Sequence, residues 1–266
     1  MISGNGTHYD LIGPDGAPVV VLIHGLGLRR ACWQWQVPVL AERFRVLAYD
    51  LWGHGDSPAA PDTPSLTVFS KQLADLLGEL KIERAAIAGF SMGGMICRRF
   101  AMDHPDRTSA LAILHSPHAR SLDAQAAVEA RVTQARAEGP GSTVENALER
   151  WFTEPYRLAN PDVMDLVRSW VLANDRQIYP LNYHVLAHGV AELVAPMPPI
   201  QCPTLVMTGD EDFGNGPDMT HAIAAEIAGA EAIILPGLRH MALAEDPDAF
   251  NAPLMNFLNR TLETTL

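Results

Sequence analysis

Gly89-Phe90-Ser91-Met92-Gly93 is a G-x-S-x-G pentapeptide, placed after a strand-like run at 85–88 and opening a helix-like run at 92–103. In that setting the serine occupies a tight strand-to-helix turn, with its hydroxyl projecting above the sheet edge. The flanking glycines remove Cβ atoms where strand and helix pass closely. The helix N-terminus supplies amides that favour a developing negative charge. The chemistry this suggests is attack of a hydroxyl on a carbonyl, for which the serine needs a base to take its proton.

Ten histidines compete for that role. His240 is selected by position, because Gly237-Leu238-Arg239-His240-Met241-Ala242 follows the last strand-like run and precedes the last helix. A loop there opens at the same sheet end as Ser91. His24 and His54, beside glycines in early loops, read as structural, and His104 before Pro105 reads as a helix-end cap. His115 and His118 follow a strand and are candidates to face a cavity. His184 and His188 share an i, i+4 spacing, but the stretch between them lacks the glutamate of a zinc-protease helix, so no metal is expected. The orienting acid is expected in Gly209-Asp210-Glu211-Asp212, with Asp212 as the choice and Asp210 as the alternate. His24-Gly25-Leu26-Gly27 lets backbone approach a reacting carbonyl closely; the N–H groups of Leu26 and Met92 would then form an oxyanion hole.

These residues need a scaffold that brings several loops to one edge. Strand-like runs at 19–23, 45–49, 85–88, 110–114, 204–208 and 232–235 alternate with helical patterns at 67–80, 92–103, 219–228 and 247–258. That alternation predicts a mostly parallel sheet with crossover helices. The 19–23 run is continuously apolar, as in a strand buried on both faces. Residues 116–199 hold no strand-like run but carry helical stretches at 124–137, 143–152, 161–172 and 181–193, closed by a proline-rich joint. Such a length is too great for a plain loop and predicts a helical insertion over one end of the sheet. Gly25, Trp151 and His184 are candidate substrate contacts, and Phe152, Trp170 and Tyr183 are further candidate linings.

Composition narrows the class. With 19 Lys+Arg against 31 Asp+Glu the net charge is −12, and basic residues cluster no further than pairs such as Arg29–Arg30 and Arg98–Arg99. That argues against a nucleic-acid partner. The longest apolar run, 18–23, is far short of the ~20 residues of a membrane span. The start, MISGNGTHYD, has no basic n-region or apolar h-region, so no signal peptide is expected. Three irregularly spaced cysteines suit free thiols in a reducing compartment, so a cytoplasmic location is expected. Nothing in the sequence specifies an oligomeric state.

HGLG at 24–27, DLWGHGDS at 50–57, GFSMGG at 89–94, GDED at 209–212 and LRHMALAEDP at 238–247 stand in the order found in α/β-hydrolase fold enzymes. The order Ser91, Asp212, His240 is also that family's. Over roughly 18–115 and 200–260 the chain resembles small bacterial carboxylesterases and 3-oxoadipate enol-lactonases. The resemblance implies an α/β-hydrolase core at 1–115 and 200–266. It also implies a helical lid (cap) at 116–199, inserted after the sixth strand. It implies cofactor-free cleavage of a small carboxylic ester or lactone through an acyl-enzyme, with Ser91, His240 and Asp212 as triad, and a structural role for the 50–57 loop. HGLG differs from the Gly-Gly-Gly-Pro-like loop of carbon–carbon bond hydrolases. Ser91 stands where dehalogenases and epoxide hydrolases carry Asp. A carbon–carbon bond hydrolase or a cofactor-free perhydrolase on the same triad, a hydroxynitrile lyase, and a ligand receptor with vestigial hydrolase activity remain open readings. Arg29 and Arg30 are candidates to attract a carboxylate-bearing substrate, against a plain solvated pair.

Overall fold

In the computed structural model, which describes residues 1–262, every strand-like run of the sequence is a strand. Seven strands are present among the described residues: β1 (Tyr9–Ile12), β2 (Val19–Ile23), β3 (Arg45–Tyr49), β4 (Ala85–Phe90), β5 (Thr108–Leu114), β6 (Thr204–Gly209) and β7 (Glu231–Leu235). They form one sheet in the order β1-β3-β2-β4-β5-β6-β7, with β1 antiparallel to β3 and every other pair parallel. β1 escapes the sequence pattern because it is a four-residue edge strand, YDLI, that buries only Tyr9 fully.

Alternation along the interior strands divides the core. Val21, Ile23, Ile87, Leu111 and Ile113 face one apolar cluster; Val20, Leu22, Ala88, Ala112 and Leu114 face the other. The short helix α1 (Val37–Leu40) and then α2 (Leu66–Glu79) and α3 (Met92–Asp103) follow β2, β3 and β4. In α2, Leu66, Phe69, Leu73, Leu76 and Leu77 recur at helical spacing and are buried, and the Ser65 hydroxyl caps the helix by accepting the Val68 amide at 3.2 Å.

The chain from β5 to β6 is helical: α4 (Leu122–Glu138), α5 (Gly141–Trp151), α6 (Glu154–Ala159), α7 (Pro161–Leu172), α8 (Tyr179–His188) and a 3₁₀ turn at Gly189–Glu192. This segment follows the fifth strand, not the sixth, because a single edge strand, β1, precedes β2. Its apolar faces are shared between the two clusters. Val128, Val132, Tyr179, Tyr183 and Val185 join the first, while Val144, Leu148, Val167 and Trp170 join the second. The chain then closes with α9 (Pro217–Ala225), α10 (Ala242–Glu245) and α11 (Pro247–Leu262).

The strand order places the site. Winding runs from β2 outward to β3 on one side, and from β4 through β7 on the other, so the loops leaving β2 and β4 diverge. The carboxyl end of a sheet at such a switch point is where a crevice opens.

Candidate active site

Ser91 stands at this opening, between β4 and α3, with φ 56° and ψ −116°. A non-glycine residue there is strained, and the turn persists because its surroundings leave no alternative. The Ser91 amide donates to the Leu114 carbonyl of β5 at 2.8 Å. A Cβ on Gly89 would come within 2.0 Å of the Gly93 carbonyl oxygen, and one on Gly93 within 2.2 Å of the Ile23 carbonyl oxygen. Only glycines let α3 start this close to β2 and β4. Met92 opens α3, where an amide has no intrahelical acceptor.

Across the crevice, the loop after β2 is held by His24. Its Nδ1–H donates to the Gly25 carbonyl at 2.7 Å, and its Nε2 accepts the Leu51 amide at 3.0 Å. The ring is fully buried, and burial pushes its pKa down to about 4, so it is neutral and keeps this tautomer. His54 packs edge-on against it with ring centroids 5.2 Å apart, and burial lowers it to about 3. Both serve structure, as their positions suggested. Asn174 from the turn after α7 donates to the Gly27 carbonyl at 3.0 Å, tying the helical segment to the same loop.

His240 and Asp212 meet on the other side. His240 Nδ1 lies 2.7 Å from Asp212 Oδ2, and both side chains are buried. Oδ1 of Asp212 accepts the Gly214 and Asn215 amides at 3.1 and 3.0 Å. Oδ2 also receives Nδ1 of the fully buried His115 at 3.0 Å. Burial opposes the charge on Asp212, but the two imidazoles outweigh it and hold the carboxyl well below the usual range. Burial lowers His115 and keeps it neutral, despite the neighbouring carboxylate. The nitrogen and oxygen donors of His115, Asp212 and His240 lie within 4.8 Å of one another, but the carboxylate already satisfies both Nδ1–H groups. Asp210 is exposed and turned away, accepting the Gly237 amide at 2.6 Å.

The His240 loop is fastened to the end of α5. The Met241 amide donates to the Trp151 carbonyl at 2.9 Å, and the Arg239 guanidinium donates to the carbonyls of Glu149 and Phe152 at 2.8 and 3.0 Å. Glu245 accepts the amides of Thr153 at 2.8 Å and Arg239 at 3.1 Å. The Trp151 ring lies 6.1 Å from the imidazole of His240.

One cavity, of about 100 Å³, gathers these parts. Ser91, Asp212, His240, Gly25, Leu26, Trp151 and Tyr183 all line it. His184 does not: it is exposed and packs against His188 at 4.2 Å, because one residue on from Tyr183 a helix turns its side chain outward. Phe152 and Trp170 are buried in the second cluster instead. His115 sits behind Asp212, and His118 is held by Glu226 at 3.1 Å. Arg29 and Arg30 are outside the cavity lining. Arg29 pairs with Asp56 at 2.8 Å, and Arg30 pairs with Asp10, Asp56 and the fully buried Asp50. Their charge is spent on bracing the 50–57 loop rather than on the cavity. Arg239 and Glu245 were not legible as site residues; His115, a candidate to face a cavity because it follows β5, instead lies behind Asp212 at the same sheet edge.

Comparison with known proteins finds relatives and solved structures that share this fold. A relative, the (E)-2-((N-methylformamido)methylene)succinate hydrolase of Acinetobacter baylyi, is 28% identical over 264 residues, 98% of this chain and 97% of that protein. The crystal structure of the enol-lactonase from Burkholderia xenovorans LB400 superposes with a TM-score of 0.89 at 31% identity, covering 97% of this chain and 98% of that one. A thermophilic esterase from Thermogutta terrifontis gives a TM-score of 0.83 at 26% identity, covering 98% and 96%. Residues 20–252 match the family model described as the Alpha/beta hydrolase family, and the chain belongs to that family.

Proposed function

We propose that this protein is a serine hydrolase that cleaves a small carboxylic ester or lactone through an acyl-enzyme. The observation that carries the reading is the 2.7 Å contact between Asp212 and His240 on the cavity that Ser91 also lines. Because Nδ1–H of His240 donates to Asp212, Nε2 is left as the base. In this reading Nε2 takes the Ser91 proton as Oγ attacks the carbonyl, and Asp212 stabilises the imidazolium. The Leu26 and Met92 amides hold the tetrahedral oxyanion; one such donor is worth about 2.7–4 kcal/mol of barrier. His240 then protonates the leaving oxygen and later activates water against the acyl-serine. Residues 116–199 act as a lid over a core formed by 1–115 and 200–266, supported by the cavity walls that both parts contribute.

The test is covalent labelling with a fluorophosphonate, together with a screen of p-nitrophenyl esters, aliphatic lactones and enol-lactones. Rapid labelling that is lost in Ser91→Ala, with turnover of one of these classes, is the expected result. High-affinity ligand binding without labelling or turnover would replace the hydrolase by a receptor.

A further inference from the structure

Three arginines of the helical segment line the Ser91 cavity: Arg120 in the turn before α4, Arg131 on α4 and Arg150 on α5. All are half-buried. Among the described residues none of them has a carboxylate within ion-pair distance, and the acidic side chain lining the cavity, Asp212, is already engaged by two histidines and two amides. A chain of net charge −12 has carboxylates to spare for such pairs, as Arg29, Arg30, Arg99 and Arg168 illustrate.

The three differ in what already occupies them. Arg120 donates to the carbonyls of Leu186 and Ala187 at 3.2 and 3.1 Å, so part of its guanidinium serves the end of α8. Arg131 uses Nε on the Tyr183 hydroxyl at 3.0 Å, and its two terminal nitrogens have no partner among the described residues. Arg150 spends one terminal nitrogen on the Asn146 carbonyl at 2.9 Å. Burial lowers Arg120, to about 10, and Arg150, and the charge of Arg131 adds to both effects. Like charges drawn together half out of water destabilise the free site, and a bound anion relieves them. Guanidinium forks match a carboxylate in geometry as well as charge.

We propose that the cavity takes an ester or lactone bearing a free carboxylate, bound by Arg131 and Arg150 with Arg120 adding to the field. This rests on the hydrolase reading above. Hydrolysis adds water across the acyl–oxygen bond and releases a second carboxylate, so an ester whose free carboxylate sits on the acyl part yields a dicarboxylate and an alcohol.

The probes are mono-p-nitrophenyl adipate and p-nitrophenyl hexanoate, which share chain length and differ in the terminal carboxylate. The wild type is expected to prefer the adipate ester. Arg131→Leu and Arg150→Leu should each lower kcat/KM for it by roughly 10- to 100-fold, mainly through KM, the range for a lost hydrogen bond to a charged group. Hexanoate turnover should change no more than about twofold. Arg136→Leu, exposed on the same helix, should alter neither. Equal losses on both esters, or a wild type that prefers hexanoate, would overturn the carboxylate site while leaving the hydrolase standing. If neither ester turns over, calorimetry decides: adipate should bind the wild type and Ser91→Ala alike and bind Arg131→Leu at least tenfold more weakly. Equal adipate binding to wild type and Arg131→Leu refutes the site, whereas failure of fluorophosphonate labelling refutes the hydrolase reading separately.

Discussion

Ser91 should be a position where function has been kept at the expense of stability, and substitution by glycine measures the difference. At φ 56° and ψ −116° the residue lies outside even the left-handed helical well that other side chains occasionally visit. Strain of this kind costs about 1–3 kcal/mol, and the ψ angle puts Ser91 in the upper half of that range. Ser91→Ala keeps the Cβ and therefore the strain; Ser91→Gly removes both. Against the relief stand about 0.4–1 kcal/mol for the freer unfolded glycine and about 0.8 kcal/mol for the lost buried carbon. Relief wins by about 1 kcal/mol. Ser91→Gly should therefore exceed Ser91→Ala in urea-unfolding stability by that amount, with unchanged m. In a chain of this size that corresponds to about 2 °C in Tm. A glycine variant less stable than the alanine variant would refute the account of the turn as strained.

Ser91→Ala and His240→Ala should each reduce kcat on the best ester by roughly 10⁴–10⁶, and Asp212→Asn by roughly 10⁴. Asp210→Asn, facing solvent, should stay near wild type, and the opposite ranking of the two aspartates would move the acid to Asp210. Acid should begin to destabilise the fold above the usual carboxylate range. His24, lowered by burial to about 4, binds its proton in the unfolded chain first, so stability is full above pH 6.5 and declines as pH falls toward 4. The loss from this ring is about 3 kcal/mol, read as a falling urea midpoint, and a flat profile from pH 7 to 5 would contradict its buried, neutral state. Gly93→Ala should abolish soluble expression or cost several kcal/mol, because the Ile23 carbonyl 2.2 Å away is backbone and cannot yield. Gly78→Ala, in α2 with nothing within 4 Å of its Cβ position, should instead stabilise by about 0.4–1 kcal/mol.

What could be read from residue order and what could not divide along physical lines. Interior strands announce themselves because burial on both faces forces an unbroken apolar run, as at Val19–Ile23, whereas the edge strand Tyr9–Ile12 has one demanding position and so no pattern. Ser91, Asp212 and His240 were identifiable because each ends a strand or follows one at the same sheet edge. Their neighbours on the helical segment were not. Arg131 and Arg150 look like any solvent-facing arginine in an amphipathic helix; only packing of α4 and α5 over the crevice turns them inward. His184 was misjudged for the same reason, since helical phase relative to the core, not residue type, decides which of Tyr183 and His184 meets the cavity. The pairing of His115 with Asp212 joins residues 97 positions apart and leaves no local trace.

The imidazole of His24 belongs to one loop and grips another. Its two nitrogens hold the Gly25 carbonyl and the Leu51 amide, while the Asp50 carboxylate beside Leu51 accepts the amides of Arg30 at 2.7 Å and Asp56 at 3.0 Å. The loop that carries Leu26 is thereby geared to the salt-bridged turn at 50–57. A change at Asp56 or Arg29 would therefore be felt first in the seating of the 24–27 loop, through a chain of hydrogen bonds rather than through the cavity wall.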